Sequence, residues 1–234
     1  MMSQLILINS ALVLTAYLLG SIPTGFLAGY WLQNIDIREY GSGSTGATNV
    51  LRVLGTKVAV AVLAIDLLKG AIAVGIVKMG VAQFPALSLS ENETAWLVVV
   101  TALAAVFGHS KSVWLQFTGG KSVATSLGTL LMMTPAVALS GVGAFAVTLA
   151  ASRMVSLSSL VSAIAINIFM ITFGEPLPYI IFAACAALYV FWRHRSNIER
   201  ILAGTEPKIG QKVSSCLLRS DLATPFPKCL VHQV

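Results

Sequence analysis

The chain has 234 residues, of which 56% are hydrophobic and only 10% are charged, and its mean hydropathy is +0.85. Soluble domains carry about 25% charged residues, so this composition excludes a water-soluble globular protein. The net charge of +6 suggests nucleic-acid binding at first sight. The basic residues, however, lie between apolar runs and after the last run, as in cytoplasmic loops of membrane proteins, and we expect no nucleic-acid partner.

Apolar runs along the chain predict an all-α membrane bundle of about seven transmembrane helices. Each crossing of a hydrocarbon core of ~30 Å needs about 20 apolar residues, and several runs are shorter than that. Pro135 is a weak reason to separate the fourth run from the fifth, since proline also kinks single spans. The runs cover residues 5–32, 58–77, 94–107, 122–134, 136–151, 155–173 and 177–192.

The distribution of charge predicts the orientation of this bundle. With the N-terminus outside, the inner segments hold thirteen of the fifteen lysines and arginines. The outer loops then hold only Lys78 and the acidic residues Glu91, Glu93 and Glu175. By the positive-inside rule the C-terminus is cytoplasmic, which requires an odd number of spans. Residues 1–212 are predicted to form the membrane domain, and residues 213–234 a disordered cytoplasmic tail.

The first inner loop, residues 41–49, reads GSGSTGATN and is followed by Arg52. Small residues let the backbone approach a ligand closely, and successive N–H groups form anion-binding nests. A helix that starts here would add its partial positive charge, and Arg52 would offer bidentate contacts to phosphate. The loop is not a Walker A motif, because no Gly-Lys-Ser/Thr follows. A flexible, capped turn remains the alternative to phosphate binding.

The second and third inner segments also carry polar and basic residues. The second reads GHSK at 108–111 and FTGGKS at 117–122, where Lys121 would neutralise a phosphate or serve only as a topogenic charge. The third reads RHRSNIER at 193–200 and GTE at 204–206. His194 and Asn197 share one helical face and would orient a hydroxyl or hold a phosphate oxygen, unless the segment is only a stop-transfer cluster. The position of all three segments on one side favours a shared anion site.

One ionisable pair lies within a predicted span. Asp66 and Lys69 are three residues apart, so they can pair on one helical face. A charged residue at such depth is costly and indicates function by default. The alternative is a buried ion pair that fixes helix packing.

Together these segments resemble the bacterial acyl-phosphate:glycerol-3-phosphate acyltransferase family (the PlsY type). The likeness runs from about Leu18 to Lys212. It includes residues 40–52, 108–121 and 194–206, with LGSIP at 19–23 and DLLKG at 66–70. The resemblance implies transfer of a fatty acyl group from acyl phosphate to the 1-hydroxyl of glycerol 3-phosphate, giving lysophosphatidic acid and phosphate. It also implies a multi-pass protein of the bacterial inner membrane whose active site faces the cytoplasm.

The resemblance also implies roles for individual residues. The resemblance implies that the catalytic residues are Ser42, Arg52, Lys121, His194 and Asn197. We predict that the substrate phosphates are bound by Gly41, Gly43, Gly46, Thr48, Asn49, Gly119 and Gly120, and that Asp66, Lys69 and Glu206 have structural or secondary roles. Ser44 departs from the family, which usually has asparagine there. No cofactor, metal or obligate protein partner is expected.

The expected chemistry suits these residues. Acyl phosphate is an activated mixed anhydride, so the protein mainly has to hold two anions together and orient one hydroxyl. No His–carboxylate dyad is evident in the sequence, and the substrate phosphate is expected to accept the proton. A transporter for a phosphorylated metabolite is the alternative, although the spans offer little polar path beyond Asp66 and Lys69. A membrane phosphatase would need a stronger nucleophile or a metal cluster.

Overall fold

The computed structural model describes residues 2–83 and 89–211. Within these ranges the chain is all-α, with a single β-bridge between Ser112 and Thr118. The helices are α1 (Met2–Ser21), α2 (Thr24–Gln33), α3 (Ala47–Leu54), α4 (Thr56–Gln83), α5 (Glu91–Ser110), α6 (Val123–Met133), α7 (Pro135–Ser152), α8 (Val155–Thr172), α9 (Leu177–Arg193) and α10 (Arg195–Leu202). The predicted tail, residues 213–234, lies outside the described ranges.

Each of the seven predicted apolar runs is helical, although two differ from a simple span. The first run is broken at Pro23 into α1 and α2, because proline has no N–H and its ring clashes with the preceding turn. Pro135 does separate two helices and occupies the first turn of α7, where its missing N–H costs nothing. In the described ranges, five helical segments have the length and apolarity to cross a membrane. The α9–α10 pair, bent by 62°, makes a sixth if its two helices count as one span.

Helix α6 is too short to cross a bilayer as a regular helix. Its 11 residues rise about 16 Å, against a hydrocarbon core of ~30 Å. Hydrogen bonds nevertheless fix both of its ends to neighbouring parts of the bundle. Ser122, just before α6, donates to the carbonyl of Val106 near the end of α5, at 2.7 Å. Thr134, just after α6, donates to the carboxylate of Glu175, which follows α8. The predicted number of crossings and their orientation remain predictions.

Glycines allow two pairs of helices to pack backbone to backbone. Between α4 and α6, a Cβ atom on Gly128 would lie 1.9 Å from the carbonyl oxygen of Leu67. Between α1 and α5, a Cβ atom on Gly20 would lie 2.1 Å from the carbonyl oxygen of Ala105. Membrane helices lack a hydrophobic driving force for association, so such close contacts contribute much of their packing energy. The short helix α6 is held against α4 in this way.

Alanine at Gly128 is therefore expected to lower the thermal stability of the protein in detergent. The added methyl group would meet backbone rather than a movable side chain, and such overpacking costs about 1–3 kcal/mol. Gly143→Ala in α7 is the matched control, because its Cβ would meet nothing within 4 Å. We expect Gly143→Ala to leave the melting temperature unchanged or slightly raised. Equal melting temperatures for the two variants would contradict the close α4–α6 contact.

The interior of the bundle is apolar, and so is much of its outer surface. A buried cluster joins α4, α5, α7, α8 and α9 through Val74, Val98, Val137, Met170 and Phe182, each fully buried. Many large apolar side chains point outward, among them Leu7, Val147 and Leu188, each more than 70% exposed. A surface of this kind is solvated by lipid rather than by water.

Candidate active site

The side chain of Asn49 organises the first inner loop. Its Nδ2 donates to the carbonyl oxygens of Ile37, Tyr40 and Ser44 at 3.1, 3.0 and 2.9 Å. Its Oδ1 accepts the N–H of Ser42 at 2.8 Å. The amide is buried, and both its donor and its acceptor atoms are engaged within the loop. Asn49 therefore shapes the predicted phosphate loop from the inside.

Two glycines make this arrangement possible. Gly41 and Gly43 have φ of +59° and +68°, a region that favours glycine. A Cβ atom on Gly41 would also lie 2.3 Å from Oδ1 of Asn49. Any side chain at Gly41 would therefore push the amide out of the loop.

Helix α3 begins at Ala47, within this segment, as the sequence suggested. Gly46 is its extended N-cap, and the N–H groups of Ala47 and Thr48 have no acceptor within the described chain. Free N–H groups at a helix start form a ready anion site. Arg52 lies further along the same short helix and is half-buried. The exposed side chain of Ser42 forms no hydrogen bond with the other predicted catalytic residues in the part of the chain that is described.

The Gly119–Gly120 turn of the second inner segment is hydrogen-bonded to residues at the ends of α5 and α9. The N–H of Gly120 donates to the carbonyl of His109 at 3.2 Å, and the Ser110 hydroxyl donates to the carbonyl of Gly120 at 2.8 Å. Arg193, at the end of α9, donates from Nη2 to the carbonyls of Gly119 and Gly120 at 3.0 and 2.9 Å.

Lys121 joins the second segment to the third. Its Nζ donates to Oδ1 of Asn197 at 2.5 Å, across 76 positions of sequence. Nδ2 of Asn197 in turn donates to Oε1 of Glu206 at 2.6 Å, and Arg200 pairs with the other carboxylate oxygen at 2.7 Å. Arg52 is close enough to interact electrostatically with Glu206 and Arg200. The structure thus brings together Arg52, Lys121 and Asn197, with the buried Glu206 supporting them.

The chain just before the first inner loop reaches the second segment directly, since Nη1 of Arg38 donates to the hydroxyl of Thr118 at 3.1 Å. His194 lies at the bend between α9 and α10, and its Nδ1 is 2.8 Å from the carbonyl oxygen of Val190. Because a carbonyl only accepts, Nδ1 carries a proton, and Nε2 of a neutral imidazole has a free lone pair. All three predicted segments therefore meet at one end of the bundle.

The surroundings of Lys121 make its ammonium group easier to deprotonate. The pKa of Lys121 is lowered to about 8, mainly because the side chain is buried. Glu206 opposes this shift, whereas the guanidinium groups of Arg200, Arg52 and Arg193 add to it. Lys121 therefore lies in a cationic cluster and can lose its proton at moderately alkaline pH.

Asp66 and Lys69 form a buried ion pair next to this site. The Lys69 ammonium is 2.8 Å from Oδ1 of Asp66 and donates to the carbonyl of Ile22 at 3.0 Å. Thr24 donates to the same carboxylate at 2.5 Å, so the pair bridges the chain break at Pro23. Nδ1 of His109 lies 3.5 Å from this carboxylate. These contacts favour the packing role over a transport path.

Sequence reasoning missed two contributors to the site. In the sequence, Arg193 is one residue of the basic third segment and His109 one residue of the second, and neither was predicted to take part in the site. The approach of His109 to Asp66 spans 43 positions, so no local pattern points to it. For Arg193, the one available signal was its place beside His194 in the third segment.

Comparison with known proteins agrees with the family resemblance. A sequence profile described as glycerol-3-phosphate acyltransferase matches residues 10–204. The glycerol-3-phosphate acyltransferase of Rippkaea orientalis is 55% identical over 207 residues, which cover 88% of this chain and 95% of the relative. That of a Nostoc species is 56% identical over 209 residues, covering 87% and 92%.

Two crystal structures of PlsY, an integral membrane glycerol 3-phosphate acyltransferase, have the same fold. The glycerol 3-phosphate form superposes with a TM-score of 0.77 at 36% identity, covering 86% of this chain and 96% of that chain. The lysophosphatidic acid form gives a TM-score of 0.75 at 36% identity, covering 86% and 95%. With the profile match over most of its length, this chain belongs to the glycerol-3-phosphate acyltransferase family of integral membrane proteins.

Proposed function

We propose that the protein transfers a fatty acyl group from acyl phosphate to the 1-hydroxyl of glycerol 3-phosphate. The products are lysophosphatidic acid and inorganic phosphate, an early step of phospholipid synthesis. The observation that carries this proposal is the contact between Lys121 and Asn197, which joins two loops beside Arg52 into one cationic site. Family membership and the glycerol 3-phosphate form of PlsY support the choice of acceptor.

The proposed reaction needs charge stabilisation and positioning. The hydroxyl oxygen attacks the carbonyl carbon of acyl phosphate, the bond from that carbon to the phosphate oxygen breaks, and the departing phosphate takes the hydroxyl proton. Arg52 and Lys121 neutralise the two phosphates and the developing oxyanion. The open N–H groups at the start of α3 hold a phosphate oxygen. Two reactants held in this way react as if in one molecule.

The remaining residues orient these groups. Nε2 of His194 accepts a hydrogen bond that orients the glycerol hydroxyl before its proton passes to the departing phosphate. The exposed Ser42, in the first loop, contacts a phosphate. Asn197 directs the Lys121 ammonium, and Glu206 holds Asn197 through its other amide atom. Gly41, Gly43, Gly46, Thr48, Gly119 and Gly120 let the backbone approach the phosphates, while Asn49 maintains the shape of the loop.

A direct assay tests this activity. Purified protein is given acyl phosphate with labelled glycerol 3-phosphate, and acyl-CoA serves as the control donor. We expect labelled lysophosphatidic acid from acyl phosphate only, without any added protein partner or metal. Product from acyl-CoA alone would contradict the proposed donor. Uptake of glycerol 3-phosphate into sealed vesicles without acyl transfer would instead favour the transporter.

The rate should fall as pH rises through about 8, because Lys121 acts in its protonated form and its pKa lies at about 8. At pH 7 and below most of the ammonium is present, so the rate should level off there. The charged groups around Lys121 are Glu206, Arg200, Arg52 and Arg193, and the nearby His194 is neutral at these pH values. Rates at saturating substrates between pH 7 and pH 10 check this. The guanidinium of arginine stays protonated up to about pH 12, so Lys121→Arg should remove the fall between pH 7 and pH 10. An unchanged fall would exclude Lys121 as its cause.

The proposed topology has seven passes, an outer N-terminus and a cytoplasmic active site in the bacterial inner membrane. Single cysteines at Ser44 and Ser196 report the sides of the first and third segments. The native Cys185, Cys216 and Cys229 are first replaced by serine. A membrane-impermeant maleimide should label both new cysteines in inverted vesicles and neither in right-side-out vesicles. Labelling from opposite sides would exclude a shared site.

A further inference from the structure

We propose that Arg193 is a positioning residue for the reaction, one that holds the Gly119–Gly120 turn so that the Lys121 ammonium meets Asn197. This inference rests on the proposed function, because it assigns Arg193 a part in the same acyl transfer. Arg193 would act through its contacts with the backbone of the turn rather than through contact with substrate.

The contacts of Arg193 are aimed at the two peptide groups that precede Lys121. Its Nη2 donates to the carbonyl oxygen of Gly119 at 3.0 Å and to that of Gly120 at 2.9 Å. Each bond has a charged donor, which makes it stronger than a bond between neutral groups. Arg193, at the end of α9, thereby fixes the backbone conformation of the two residues that precede Lys121.

The turn needs such support because two consecutive glycines have great conformational freedom. Its other side rests on α5, where a Cβ atom on Gly120 would lie 2.0 Å from Nε2 of His109. His109 in turn lies beside the buried carboxylate of Asp66. The turn thus lies between His109 and Arg193, and within residues 2–83 and 89–211 it is Arg193 that bonds it to the third segment.

Arg193 also immediately precedes His194, and Asn197 follows within one turn of α10. One side chain therefore sets the spacing between the second loop and the third segment. The bond of 2.5 Å between Lys121 and Asn197 depends on that spacing. Loss of the Arg193 contacts would let the turn move and would misdirect the ammonium, and small misplacements lower rates strongly.

A direct role for Arg193 in binding substrate is the competing explanation. Its Nε is buried and has no acceptor within the described chain, and its guanidinium lies 5.9 Å from the centre of the Trp192 ring. Substrate binding would appear as a raised KM, whereas positioning of Lys121 would appear in kcat.

Arg195 provides a matched control. It carries the same charge on the adjoining helix, and its guanidinium lies over the same Trp192 ring at 5.5 Å. Its side chain is exposed and makes one long contact of 3.5 Å to the Trp192 carbonyl. Arg195→Met removes a cation from the same region without touching the glycine turn, so we expect its kinetics to equal those of the wild type.

The test is a double-mutant cycle with purified, monodisperse protein and acyl phosphate as donor. We expect Arg193→Met to lower kcat by at least about tenfold, with KM for both substrates within about twofold of wild type. In the Lys121→Met background, Arg193→Met should cause almost no further loss, since it acts through Lys121. Losses that multiply, or a KM raised about tenfold at unchanged kcat, would overturn the inference.

Arg193→Lys keeps the test decisive if Arg193→Met does not fold. One ammonium cannot reproduce the guanidinium geometry, so we expect a kcat loss of about threefold that vanishes in the Lys121→Met background. A kcat equal to wild type, with an unfolded Met variant, would give Arg193 a folding role only and overturn the inference. A wild-type protein without transfer from acyl phosphate would overturn the proposed function itself, and with it this inference.

Discussion

Replacing Lys121 with alanine is expected to lower kcat by about 10²–10³-fold, a loss of about 3–4 kcal/mol of transition-state stabilisation. Lys121 is the one residue of the second loop whose side chain bonds to the third segment, in the part of the chain that is described. The methyl group of alanine leaves the charge of the departing phosphate unneutralised and Oδ1 of Asn197 without its donor. Steady-state rates with acyl phosphate and glycerol 3-phosphate measure the effect.

Lys111→Ala is the control for this variant. Lys111 lies in the same loop and carries the same charge, but its described hydrogen bonds involve only its backbone atoms. We expect Lys111→Ala to retain nearly the wild-type rate. A Lys121→Ala rate within about threefold of wild type would remove Lys121 from the mechanism. An equal loss in both variants would indicate a general effect of loop charge.

Asp66→Asn is expected to cost about 3–5 kcal/mol of unfolding free energy, because it leaves the Lys69 ammonium buried without a counter-charge. Both side chains are almost completely buried, with 1% and 5% exposure for Asp66 and Lys69. The loss should also loosen the junction at Pro23, which the pair supports through Ile22 and Thr24. Thermal unfolding in detergent measures the change.

The double variant Asp66→Asn/Lys69→Met separates a packing role from a functional role. Removal of both charges is often nearly neutral for stability, so the double variant should recover most of the lost stability. Asp36→Asn is the control, because the Asp36–Arg38 pair is partly exposed and should contribute about 1 kcal/mol or less. A double variant that is stable but inactive would give the pair a function beyond packing. A stable single variant would contradict the buried ion pair.

The sequence predicted which segments are helical more accurately than where each helix ends. Apolar runs predicted helices correctly because lipid cannot hydrogen-bond the backbone, so local apolar length alone favours helix. The break at Pro23 was not anticipated, whereas α6 matches the short run predicted at 122–134. Proline causes the break locally, but the Asp66–Lys69 pair that supports it through Ile22 and Thr24 depends on how the helices pack.

The candidate site shows the same division. The first, second and third segments were recognisable from their residue types. For Asn49, which is predicted to bind phosphate, the structure adds a set of hydrogen bonds within the loop that the sequence did not indicate. These bonds depend on carbonyl groups up to 12 positions away, whose directions no sequence pattern shows. The contact of Arg193 with the Gly119–Gly120 turn could not be predicted either, because it also depends on the direction of distant carbonyl groups.

By itself the sequence determined that this chain resides in a membrane, which segments are helical, and which chemical groups its loops offer, because composition and spacing are local properties. Only the tertiary structure decided which of those groups meet. The bond between Lys121 and Asn197 and the approach of His109 to Asp66 join residues 76 and 43 positions apart. Such contacts depend on how several helices pack at once, and the packing is set by the whole bundle rather than by any one segment.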